Sequence, residues 1–310
     1  MNSPLPLFVL LLGGFALPAA AVPQDRVDKP ARRTAPPSPV AQPATPAEDA
    51  PPPIREFDVE TIARLGRELH RVDQLAWVAT DVLAAKVGFA TYSKEGACGW
   101  VVETSGAEPV VRFLRKTGET IEAAYDIRFP ATGSPVLEVP QDRVLTARQL
   151  ARHVARDTAI QPFSEGKYPL CRLRPGNHFN YAVLDDPDGD GFLVYLLRPK
   201  ETNDEVPIGG HHRITVSADG RTVERVDALS RSCLTMNRKR EIPEDGKLVS
   251  LGMNHVVSAT PVETHVFLSL QEKLPFYVLT RDGTAWQVEG GMISRSYTAS
   301  PAPAPESGKR

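Results

Sequence analysis

Apolar residues recur at three- and four-residue steps from Ile62 onward. Ile62, Leu65, Leu69, Val72, Ala76, Ala79 and Leu83 form one stripe, which predicts an amphipathic helix over 58–86. The period then changes. Runs rich in Val, Ile and aromatic residues at 99–103, 109–116 and 120–129, separated by Gly-containing turns, predict three short strands. A second helix is predicted from Thr146, where Thr-Ala-Arg-Gln has the form of a capping box, with Ala147, Leu150, Ala151 and Val154 as its buried face. Four further strands follow at 178–184, 192–198, 211–217 and 222–230, the last pair joined through Asp219-Gly220. Three more are expected at 264–270, 275–280 and 284–290, with Asp282-Gly283 as the last turn.

A helix followed by an antiparallel meander thus occurs twice. The expected fold is α+β, antiparallel sheet packed against at least two helices, over residues 56–297. That body is either one unit or two joined halves, about 56–140 and 141–297. The layout resembles the helix-on-sheet arrangement of cystatin-like and PepSY-type modules, a resemblance that implies a binding or inhibitory domain.

Composition adds the flanks. Residues 7–17, LFVLLLGGFAL, are apolar but too short to span a bilayer, and Ala19-Ala20-Ala21 follows. Residues 1–21 therefore read as an export signal cleaved after Ala21, leaving no membrane span. Ten of the 29 prolines fall in 22–53 among Ala, Ser and Thr, so 22–55 reads as a linker that cannot bury enough surface to order itself; 298–310 reads likewise. The expected location is the periplasm or the medium. Charges nearly balance, 36 basic against 38 acidic, which gives no pull towards nucleic acid.

In an exporting compartment the three cysteines can oxidise. Cys171 precedes the first strand of the four-strand meander and Cys233 follows the fourth, and those two ends share one side of the sheet. The expected bond is therefore Cys171–Cys233, with Cys98 free. Two stretches invite a chemical reading. In DDPDGDG, Asp186, Asp188 and Asp190 match the front half of a calcium loop, although Leu197 stands where the closing acid belongs. Otherwise the stretch is a polar hairpin turn, and no other cofactor is implied. In GGHHRITVS, the adjacent His211 and His212 point to opposite faces of a strand, so they cannot jointly grip one ion. His211 is expected to face solvent and His212 to edge the core. A site would need help from His255, His265 or His178, none of which shows metal-binding spacing. The function expected is therefore an exported, non-enzymatic binding protein engaging another protein or a cell-envelope component. The alternative is a small hydrolase or metal-dependent enzyme, with His211, His212, His255 or His265 converging from separate strands.

Overall fold

A computed structural model describes residues 53–239 and 246–298. Residues 1–21, read from the sequence as an export signal, most of the proline-rich segment and residues 299–310 lie outside the described residues. Ile54 and Arg55, which composition places in the linker, belong to the folded body: Ile54 is buried in its main core.

Helix α1 (Val59–Lys86) starts at Asp58, whose carboxylate accepts from the Thr61 amide at 2.8 Å. Its stripe is as expected, with Ile62, Leu65, Leu69, Val72, Ala79 and Leu83 buried. A short helix, α2 (Phe89–Lys94), leads into the first sheet. There β1 (Ala97–Glu103), β2 (Val110–Thr117), β3 (Thr120–Arg128) and β4 (Val136–Glu138) run antiparallel in sequence order. Helix α3 (Ala147–Ser164) opens with the capping box: the Thr146 hydroxyl accepts from the Gln149 amide, and the Gln149 side chain accepts from the Thr146 amide.

The second sheet is the expected meander, in the order β5 (Asn180–Asp185), β6 (Phe192–Leu197), β8 (His212–Val216) and β9 (Val223–Ala228). A two-stranded ribbon pairs β7 (Glu205–Pro207) with β10 (Thr235–Asn237). The third sheet holds β11 (Leu251–His255), β12 (Phe276–Thr280), β13 (Thr284–Glu289) and β14 (Met292–Thr298). Its β11–β12 pair is parallel, the others antiparallel. Parallel strands need a crossover, and α4 (Glu263–Glu272) supplies it. Residues 264–270, expected as a strand, are thus helical. The helix is buried nearly all round, from Glu263 through Ser269. Such a helix lacks a polar stripe, and a short unbroken apolar run is indistinguishable from a buried strand by period alone.

The fold is α+β, with sheets packed against helices. One cluster of buried apolar side chains extends from Ile54 to Val288 and takes in both parts of the repeated layout. Helix α1 crosses α4 closely at Gly66, where an added Cβ would overlap the Val266 side chain and lie 2.7 Å from the Glu263 carbonyl. The second sheet is covered on both faces. Phe192, Val194, Leu196, Ile214 and Val216 meet Ala155, Ala159 and Phe163 of α3, while Leu193, Tyr195 and Leu197 belong to the main core.

The buried face of α3 is rotated from the expected one: Gln149, His153, Ala155, Ala159 and Phe163 are inside, and Leu150 is exposed. Arginines explain the rotation. Arg148, Arg152 and Arg156 recur every fourth residue; Arg152 and Arg156 stitch the first two sheets together, and Arg148 grips the second. Arg148 and Arg152 both donate to Asp185 of β5, at 2.5 and 2.7 Å. Arg152 also donates to the Val102 carbonyl and Arg156 to that of Cys98, both on the outer edge of β1. Trp100 of β1 stacks on Tyr181 of β5 with ring centroids 4.6 Å apart, across the same seam.

The bond Cys171–Cys233 is formed, with Cα atoms 5.7 Å apart, and Cys98 is free. It crosses the chain at the Gly209-Gly210 pair. Gly210 has φ +90°, and Cys171 Sγ fills the place where a Cβ would stand. Gly210 therefore makes room for the disulfide, and Gly209 for the Ser232 carbonyl close by.

Candidate functional site

The polar groups gather between the second sheet and the N-terminus of α4. Strand register builds the first row: Tyr195 of β6 is opposite Arg213 of β8, which is opposite Asp227 of β9. All three side chains lie on the face turned away from α3. Glu263, the first residue of α4, closes the row from above. Tyr195 donates its hydroxyl to Glu263 at 3.0 Å, and Arg213 donates to Glu263 at 2.7 Å and to Asp227 at 2.8 Å. Arg213 is 1% exposed and Glu263 0%, so this is an interior ion network. Burial opposes the Arg213 charge, but Glu263, Tyr195 and Asp227 outweigh it and hold the guanidinium above its ordinary pKa. Burial, with Glu263 beside it, pushes the Tyr195 hydroxyl well up, so it stays a donor. Among the described residues, Glu263 Oε2 and Arg213 Nε have no hydrogen-bond partner.

The network reaches the surface through residues 53–57, which lie outside any helix or strand. Arg55 forks onto Asp186 with bonds of 2.6 and 2.7 Å and reaches Asp188 at 2.7 Å. The Arg55 amide donates to Asp227 at 3.3 Å, and its carbonyl accepts from Arg213. Arg225 bonds Asp227 at 2.6 Å and donates to the Pro53 carbonyl. The Phe57 ring meets two guanidiniums, those of Arg55 and Arg213, each 4.7 Å from its centre.

The structure thus places the three candidate calcium acids as follows. Asp186 and Asp188 hold Arg55, and the Asp186 carboxylate also accepts from the Asp188 amide at 3.0 Å. Burial works against the Asp186 charge, yet the Arg55 bonds and the Asp188 amide keep its carboxyl below the ordinary value. Asp190 offers its carbonyl to Arg148. Among the described residues no group of three or more His, Cys, Asp or Glu side chains is set to hold a metal ion.

His178 is exposed, whereas His211, His212, His255 and His265 are interior, and here the expectation for His211 is corrected. It is 1% exposed rather than solvent-facing, because β8 is a central strand with both faces covered. Its Nε2 donates to the Pro207 carbonyl at 2.7 Å and its Nδ1 accepts from the Arg198 amide at 3.0 Å, which fixes a neutral tautomer. Burial brings its pKa down to about 4. His212, on the opposite face, meets Phe163 of α3 edge-on with centroids 4.9 Å apart, and burial again lowers its pKa to about 4. His255 and His265 do come together, ring centroids 4.7 Å apart. His265 Nδ1 accepts from the Val262 amide, closing the turn before α4. Burial holds it well below its usual pKa, with His255 and His211 adding to the effect. His255 Nε2 meets Ser258 Oγ at 2.7 Å, but Ser258 gives its proton to the Thr260 carbonyl at 2.6 Å. His255 is therefore the donor in that pair, and burial lowers its pKa to about 4.

Sequence reasoning passed over Arg55, Arg213, Asp227 and Glu263. Two signals were there: charged residues inside the otherwise apolar strands HHRITVS and TVERVDALS, and a hairpin that sets 213 opposite 227. A bulge between Thr215 and Val216 shifts the register, so turn geometry alone misaligns the pair.

Comparison with known proteins brings no match: no family model, no curated protein and no solved structure aligns with this chain.

Proposed function

We propose that this chain is exported to the periplasm or the medium and works there as a non-enzymatic binding protein, engaging another protein or a component of the cell envelope. The observation that carries the reading is the inward orientation of the chemically potent groups. His211, His255 and His265 are all buried and spend their hydrogen bonds on backbone or, for His255, on the Ser258 hydroxyl. Groups so placed brace a scaffold and leave recognition to the surface. Export is supported by the Cys171–Cys233 bond, since disulfides persist in oxidising compartments. No helix among the described residues is long and apolar enough to cross a membrane. The test is crosslinking in intact cells of the native host, followed by fractionation and mass spectrometry. The reading expects disulfide-bonded protein beginning near Val22, joined in defined stoichiometry to an envelope component. Reduced protein confined to the cytoplasm would overturn it.

The hydrolase alternative would need the Ser258–His255 bond to reverse, since Ser258 donates to the Thr260 carbonyl instead. Labelling of Ser258 by a fluorophosphonate probe, lost in His255→Ala, would establish it over the binding reading.

A further inference from the structure

The segment Pro53–Phe57 is seated as a bound peptide would be. Three of its contacts read main chain alone: the Pro53 carbonyl, the Arg55 amide and the Arg55 carbonyl, held by Arg225, Asp227 and Arg213. Two read side chains: a guanidinium forked by Asp186 and joined by Asp188, and an aromatic ring under the Arg213 guanidinium. Ile54 adds an apolar anchor in the core. The side-chain selection falls on a hairpin loop whose outer acid, Asp188, is 63% exposed, so the seat opens to solvent. The segment also stops cleanly. Helix α1 is capped by its own Asp58, which bonds Thr61, so α1 keeps its cap when residues 53–57 leave.

We infer that the seat formed by Asp186, Asp188, Arg213, Arg225 and Asp227 is a peptide-recognition site, filled in the resting chain by its own residues 53–57. In action it takes an exposed segment of a partner protein with an aliphatic residue, then arginine, then an aromatic residue two positions further on. The inference rests on the binding reading above and names its partner chemistry. It also gives the 185–191 loop a use: its acids receive a guanidinium. Residues 53–57 act as an internal competitor. A tethered segment competes at an effective concentration on the order of millimolar, so a free peptide binds the resting chain weakly until the competitor is loosened.

The test uses the full chain and a fluorescein-labelled peptide of sequence PPPIREFD, residues 51–58, read by anisotropy. Arg55→Ala and Phe57→Ala each loosen the internal segment from a different side. Each is expected to bind the peptide at least about tenfold more tightly than the unsubstituted chain, given that effective concentration. Binding should weaken with salt and disappear when Asp186→Asn and Asp188→Asn are added, or when the peptide's arginine is replaced by alanine. Folded Arg55→Ala and Phe57→Ala chains that bind no better than the parent would overturn the inference, as would binding indifferent to the two acids. Should neither variant fold, the unsubstituted chain decides: millimolar peptide must speed hydrogen exchange at the amides of 55–57, and unchanged exchange refutes the site. This assay uses purified protein, so its failure leaves the in-cell crosslinking result, and with it the broader binding reading, standing or falling separately.

Discussion

Arg213→Met removes the one side chain that joins two buried acids. The consequences differ at its two ends. Asp227 keeps Arg225 at 2.6 Å and the Arg55 amide at 3.3 Å. Glu263 keeps only the Tyr195 hydroxyl, at 3.0 Å, in a site with 0% exposure. Breaking a buried pair by deleting one partner costs about 3–5 kcal/mol, because the remaining charge is stranded without solvent. For a folded body of this size that is a fall in Tm of roughly 6–20 °C. If the stranded carboxylate is the cause, adding Glu263→Gln should return at least ~1 kcal/mol of the loss, the scale of a buried group left unmet. Urea unfolding followed by tryptophan fluorescence, with the disulfide intact and the m-value checked for constancy, measures both. An Arg213→Met loss under ~1 kcal/mol would refute the reasoning, as would a double variant whose loss is the plain sum of the two single ones.

The buried histidines predict acid sensitivity. His211, His212 and His255 sit near pKa 4, below the unfolded value of about 6.5, so their contribution is complete above 6.5 and drains away as the pH falls towards 4. His212→Phe keeps the ring against Phe163, removes an unpartnered Nδ1 and should flatten the Tm–pH curve over that window; an unchanged curve would exclude His212 as a contributor. Gly66→Ala gains helix propensity of about 1 kcal/mol, yet it collides with Val266 across the α1–α4 crossing and should destabilise by ~1–3 kcal/mol in chemical denaturation. A stabilised variant would mean the helices part easily there. Replacing Cys171 and Cys233 together by alanine opens a loop with a sequence separation of 62 and should lower stability by about 4 kcal/mol on the chain-entropy model, with Cys98 the one alkylatable thiol in the unfolded parent. Linked peptides containing Cys98 would contradict the pairing.

The legible parts of this chain are those governed by local rules. The α1 stripe, the Thr146–Gln149 capping box and the meander each follow from residues within a few positions of one another. The Cys171–Cys233 pair followed once strand order was settled. What stayed hidden depends on coverage by distant segments. His211 and Arg213 alternate with core residues as a solvated face would, and α4 together with residues 53–57 turns that face into interior. Helix α4 itself shows no period because every side of it is enclosed. Asp186 and Asp188 have the local form of a cation loop, and their actual partner lies some 130 positions upstream. Glu263 and Arg213 could be joined from the sequence only with both the α4 crossover and the β8 register in hand.

The arginine ladder of α3 has a consequence for aggregation. Strand β1 ends its sheet, and an uncovered row of carbonyls there would be a template for pairing with another molecule. Arg152 and Arg156 occupy two of those carbonyls, and Trp100 is held flat against Tyr181 instead of standing free. Self-association should therefore be governed by the opening of α3 alone, well before the core around α1 gives way. Aggregation rate would then track hydrogen exchange in residues 147–164 and be indifferent to changes such as Gly66→Ala that weaken only the far side. A rate that instead follows global stability across such variants would separate the ladder from any protective role, leaving it as a clasp between two sheets.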